Sequence, residues 1–219
     1  MTSAPEQHLG PFVGHFGSYT ITPQDLQGVQ LYRLGLGLAA LALAIATGLS
    51  FVPSPGHLVA IDLCYALGWL ALGLSLATIH IYMVSLHRLL QGFWLVGGVA
   101  SLALAYSGPG PLAQTVVDYP QALWGVGFSF AALTGIYLKE AFCFDHFTSK
   151  LLTPLVPLLL LGHLFGPLPP PVEQGLLTLW AGLFLLFVGG KLGQPLVPDI
   201  GDKSVFDARH SPSNVSTLN

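Results

Sequence analysis

Six apolar stretches, joined by short connectors, leave this 219-residue chain little choice of fold. A membrane-spanning helix takes about 20 predominantly apolar residues; the first four stretches are near that length and the last two are shorter. Their approximate limits are Leu34 to Val52, Leu58 to His80, Leu89 to Tyr106, Gln121 to Leu138, Leu151 to Phe165 and Gly175 to Val188. Only 8% of the residues are charged, against about 25% in a soluble domain. The expectation is an all-α polytopic transmembrane bundle of six spans. Residues 1–30 read as an N-terminal interfacial segment, 31–191 as the membrane domain and 192–219 as a flexible polar tail. The first basic residue is Arg33, so the first span lacks the basic region of a cleavable signal and reads as a retained anchor.

Basic residues mark cytoplasmic loops. Six spans put Arg33, Arg88, Lys139, Lys150, Lys191, Lys203 and Arg209 on one side, and leave the loops near Pro55, Gly110 and Pro170 with none. A five-span arrangement would scatter them over both faces. Both termini are therefore expected to be cytoplasmic, or stromal in a thylakoid. With a formal charge of -3 and no basic patch, the composition excludes a nucleic-acid partner. The lipid bilayer is the expected environment.

Local signals sharpen this outline. In Thr22-Pro23-Gln24-Asp25 a capping side chain precedes a proline suited to the first helical position, with an acid near the positive end of the dipole. Pro53 and Pro55 end the first span. Small residues at four-residue spacing, such as Gly35 with Ala39 and Gly127, Ala131 and Gly135, allow close helix packing. Gly108 to Pro120 read as a loop. In the fifth span Pro154 is expected in the first turn and Pro157 just beyond it, with a bend against the hinge KEAFCFDHFTSK (Lys139 to Lys150).

Ionisable residues inside a bilayer are costly and mark sites, and topology fixes their depth. Asp62 lies about 7 Å below the outer surface at about 1.5 Å per residue, and His163 lies at a similar level on the fifth span. They form a candidate pair, with His57 at the rim. A carboxylate orienting an imidazole relays protons or anchors a metal or pigment; the plainer alternative bonds Asp62 to Tyr65 or backbone. A second candidate cluster gathers at the cytoplasmic rim: His80, His87, Arg88, Lys139, Glu140, Cys143, Asp145 and His146. Its donors are competent metal ligands, but no metal-site spacing is present. His80 and His163 lie near opposite surfaces and cannot share a haem. Cys64 and Cys143 occupy different halves and should not bridge.

The run YLKEAFCFDHF followed by LLTPLVPLLLLGHLFG, with HIYMVSLHRLLQ upstream, resembles an uncharacterised family of integral membrane proteins of cyanobacteria and photosynthetic eukaryotes, catalogued as domain of unknown function 2301. Tyr32-Arg33, His80, Tyr82, His87-Arg88, Lys139-Glu140, Phe142-Cys143-Phe144 and Gly162-His163-Leu164 carry the resemblance, from about Tyr32 to Lys191. It implies a setting, the thylakoid or plasma membrane of a cyanobacterium-like organism, and no activity.

Three roles follow, in this order. The first is a non-enzymatic accessory or assembly protein of a photosynthetic or respiratory complex, with chlorophyll or another tetrapyrrole on His163 or His80 as a variant. The second is a small proton-coupled transporter using Asp62 and His163. The third is a membrane metal or redox protein built on the rim cluster. No nucleophile elbow, phosphate loop or dinucleotide fingerprint occurs.

Overall fold

A computed structural model describes residues 9–52, 54–81, 83–166 and 168–205. Pro53, Tyr82 and Arg209, used above for span limits, resemblance and orientation, lie outside the described residues. Six helices are long and apolar enough to cross a membrane: α1 (Pro23–Ser50), α2 (Pro55–Thr78), α3 (Val84–Ser107), α5 (Leu123–Phe144), α6 (Phe147–Phe165) and α7 (Pro170–Leu192). The short α4 (Leu112–Asp118), a 3-10 turn (Pro120–Ala122) leading into α5, and α8 (Val197–Ile200) complete the helical elements described. The expected all-α six-span bundle is the architecture found.

Chain neighbours pack in sequence, α1 on α2, α2 on α3, α3 on α5, α5 on α6 and α6 on α7; α7 then returns to α1. The spans thus close a ring. Its inner half, at the end where α1 begins, is filled by Tyr32, Leu36, Leu133, Ile136, Tyr137 and Phe184, all at most 2% exposed. Outward residues such as Leu63 and Leu102 are 67% and 68% exposed, as a lipid-facing surface requires. Small residues let the ring close tightly: Gly35 faces the α2 backbone at Ala71 and Ser75, and Gly135 faces Leu90. Between α2 and α3, Trp69 and Trp94 stack at 4.5 Å. Each indole N–H donates to the other's carbonyl, at 2.9 and 2.8 Å, which fixes the register of the two helices.

Thr22 caps α1 as expected, its hydroxyl accepting the Asp25 N–H while the Asp25 carboxylate accepts the Thr22 N–H. Four local features correct or add to the expectations. Part of residues 1–30 forms a hairpin, β1 (Leu9–Gly14) antiparallel to β2 (Gly17–Ile21), because Phe12 stacks on Tyr19 and Ile21 is fully buried with Val29 and Ile200. The loop from Gly108 to Pro120 contains α4. Helix α6 begins at Phe147, so Pro154 lies two turns inside it and, like Pro157, removes an interior backbone donor.

The fourth correction concerns the expected flexible tail, whose first part is built into the fold. Asp199 is 4% exposed and sits among charges from three spans. Arg33 Nε donates to its Oδ2 at 2.8 Å, and Lys191 Nζ lies 2.5 Å from its Oδ1. Lys191 also lies 2.5 Å from Glu140 Oε2. Glu140 Oε1 accepts from Lys139 at 2.8 Å and from the Tyr32 hydroxyl at 2.9 Å. The remaining Arg33 donors reach the Gln194 and Pro195 carbonyls at 2.6 and 2.8 Å. The Phe144 ring lies 4.1 Å from Lys191 Nζ and 4.8 Å from Lys139 Nζ, softening an excess of three cations over two carboxylates. Beyond α8, Asp202 accepts the His15 N–H at 2.7 Å, which holds its carboxyl below the usual range. Lys203 reaches Asp25 at 2.6 Å.

Removing one partner of a buried ion network strands the others. Asp199→Ala should therefore lower the unfolding free energy in mixed micelles by about 3–5 kcal/mol. An unchanged midpoint would show that α8 is not an anchor.

Candidate functional site

The outer half of the ring is open where the inner half is packed. A cavity of about 280 Å³ lies there, walled by α1, α2, α4, α5, α6 and α7, near the lower end of the ~300–1,000 Å³ of small-molecule sites. Leu43, Val126, Leu159 and Leu160 supply apolar wall, and Tyr65, Phe130 and Trp180 an aromatic lining. Phe130 links these aromatics, 6.2 Å from Tyr65 and 6.1 Å from Trp180. Tyr65 is fixed by two hydroxyls, Ser101 at 2.7 Å and Ser129 at 2.9 Å. The ionisable lining groups, other than the Tyr65 phenol, are Asp62, His163 and Glu173.

Asp62 and His163 therefore share one cavity, but the expected direct pair is corrected: each holds a different partner. Asp62 accepts the N–H groups of Leu112 and Ala113, both at 2.7 Å, and so pins the start of α4. This matches the plainer alternative of a backbone-bonded Asp62. His163 lies between α4 and α7, its Nε2 3.1 Å from the Val116 carbonyl and its Nδ1 2.5 Å from Glu173 Oε1. A carbonyl can only accept, so Nε2 carries a proton. One further proton then lies between Nδ1 and Glu173, on whichever atom holds it. With that proton the pair carries no net charge, and its side chains are 21% and 31% exposed. His57 stays apart, its Nδ1 2.5 Å from the Val52 carbonyl.

Glu173 was missed by sequence reasoning. Its signal was an acid in the first turn of the last span, ten residues beyond His163 across a proline-rich connector on the side that lacks basic residues. Asp199 was missed because it lies in a polar stretch with no apolar periodicity.

The rim cluster is dispersed over separate partners. His80 Nε2 lies 3.8 Å from Asp25, and burial pushes its imidazole below the usual value against the pull of that carboxylate. The chain turns between Thr78 and Val84, so His87 sits on the next helix, where Nε2 donates to the Leu76 carbonyl at 2.6 Å and caps α2. Arg88 donates to Gln91 at 3.3 Å. Lys139 and Glu140 belong to the buried network. His146 Nε2 accepts from Gln194 at 2.7 Å. Asp145 pairs with Lys150 at 2.5 Å, and Cys143 is exposed and free, as Cys64 is free. Among the described residues no three of His, Cys, Asp and Glu gather as metal ligands would. His163 has both ring nitrogens engaged, and a cavity of this size is far smaller than a tetrapyrrole, so pigment ligation there does not fit.

Asp62→Ala removes the acceptor of two amides at the start of α4. Losing such bonds costs about 1–3 kcal/mol, so hydrogen exchange of Leu112 and Ala113 should quicken by about tenfold or more. Unaltered exchange would contradict the pinning.

No curated protein and no solved structure matches this chain. A family model described as uncharacterized integral membrane protein (DUF2301) matches residues 74–208, from the end of α2 through α8. That span is shifted from the expected Tyr32 to Lys191. It takes in Glu140, His163, Glu173, Lys191 and Asp199 but leaves out Arg33 and Asp62. The match covers more than half of the chain, which therefore belongs to this family of integral membrane proteins.

Proposed function

We propose that the protein is a small proton-coupled carrier whose ligand site is the outer cavity. The observation that supports this reading is the position of His163, which holds a shared proton with Glu173 in the cavity wall and binds the helix lying over it. Gain or loss of that proton changes how firmly α7, α6 and α4 hold together, and so couples protonation to access. The aromatic and aliphatic lining would hold the body of a small apolar molecule. The inner half, packed and latched by its ion network, is the closed side in this conformation.

The accessory role that came first from the sequence rests on the implied photosynthetic setting; the carrier role rests on a cavity and a proton site. Its membrane, under this proposal, is the thylakoid or plasma membrane, with both termini on the cytoplasmic or stromal side.

In proteoliposomes holding a pH-sensitive dye, an imposed pH gradient should collapse faster with the protein than without it once an extract of apolar metabolites is added. His163→Ala and Glu173→Gln should each reduce that excess rate at least ~10-fold, as loss of a group essential for proton transfer does. A wild-type rate equal to that of both variants would remove the carrier reading.

A further inference from the structure

The charges lining the cavity are asymmetric. Asp62 and Glu173 contribute two carboxylates and His163 one imidazole. With the His163–Glu173 unit neutral, the net charge is that of Asp62, negative. Every lysine and arginine among the described residues belongs to the opposite end: Arg33, Lys139 and Lys191 in the buried network, Lys203 on Asp25, Lys150 on Asp145 and Arg88 at the start of α3. At the cavity end of the elements around His163, the other titratable side chains that carry or can carry charge are His57 on α2 and Asp118 on α4, the latter bonded to Gln114, together with the Tyr119 phenol just beyond α4. None is a fixed cation. An anionic ligand would enter an apolar cavity against this charge with nothing to pair it, and an unpaired charge leaves water only at a cost.

We propose that the ligand is an organic cation, a positively charged nitrogen on an apolar or aromatic body, exchanged for the proton that His163 and Glu173 share. This rests on the carrier reading above and names its substrate class. The cation takes the place of the proton beside the Glu173 carboxylate. The shared proton leaves to bulk water, its bond to Nδ1 or to Glu173 Oε1 breaking with the electron pair staying on that atom, and His163 keeps its Nε2 proton on the Val116 carbonyl. One charge enters as one leaves, so the site stays neutral apart from Asp62. Tyr65, Phe130 and Trp180 offer ring faces to the cation's body and to its charge.

The full chain in detergent is titrated with benzyltrimethylammonium, whose charge is fixed at every pH, with its uncharged isostere neopentylbenzene, and with the anion phenylacetate. The cation should bind at least ~10-fold tighter than the anion, release close to one proton per site into weak buffer, and bind more tightly as pH rises. Glu173→Gln should weaken it by ~10-fold or more and abolish proton release, while Glu173→Asp restores part of both. Tighter binding of the anion or of the isostere, cation binding without proton release, indifference to Glu173→Gln, or no binding of any probe would each overturn the assignment. Proton-linked cation binding that drives no flux in vesicles would sink the carrier reading and leave the ligand class standing. Flux with preference for another probe would do the reverse.

Discussion

Everything at the inner end depends on one buried ionic interaction, the hold that Asp199 and Glu140 keep on Lys191. A lysine 1% exposed in a lipid-embedded bundle is stable only with its charge paired, and it meets two carboxylates from different elements, α5 and α8. Arg33, Lys139 and Tyr32 complete the shell of hydrogen bonds. The network joins the first, fourth and last spans to a segment beyond the membrane domain, and it is where α7 closes the ring on α1. Such a network is a costly way to add stability. What it supplies is specificity: this end of the bundle opens only when those ion pairs separate and their charges reach water.

The outer end is built on the opposite plan. Two carboxylates and an imidazole there hold no fixed cation: Asp62 and His163 bind backbone, Glu173 binds His163, and space remains between the helices. Asp62 and His163 both grip α4, one at its start and one at Val116, so one wall of the cavity is held by two of its ionisable groups. A bundle held by buried ion pairs at one end, and by Asp62 and His163 bound to backbone around a cavity at the other, has a built-in difference between its two ends. That difference is the physical basis for treating the cavity as a place where protonation changes access.

Much of this was legible in the sequence because bilayers impose simple rules. The length of the apolar runs counted the spans, and the one-sided distribution of basic residues, Arg33 and Lys191 among them, ordered them. Depth arithmetic brought Asp62 and His163 to one level and into one cavity. It could not show which backbone groups would claim each of them, because α4 is a seven-residue helix in a segment with the turn residues of a loop. Nor could it show that Lys139 and Glu140 point inward while Cys143 points out. Neighbouring positions differ by about 100° around a helix at 3.6 residues per turn, and a continuous apolar run gives no moment to orient them. The hairpin and α8 were hidden for the same reason in reverse. Their order comes from long-range contacts, His15 with Asp202 and Asp199 with Arg33, that no local pattern announces.

The proposed carrier needs His163 and Glu173 to hold one exchangeable proton. Nitrogen NMR of selectively labelled His163 in lipid bicelles tests it most directly. The account predicts Nε2 protonated throughout the titration, and an Nδ1 signal that moves with pH in the native protein and loses that coupling in Glu173→Gln. Two ring nitrogens that interchange freely between tautomers, unchanged by the glutamine, would contradict it.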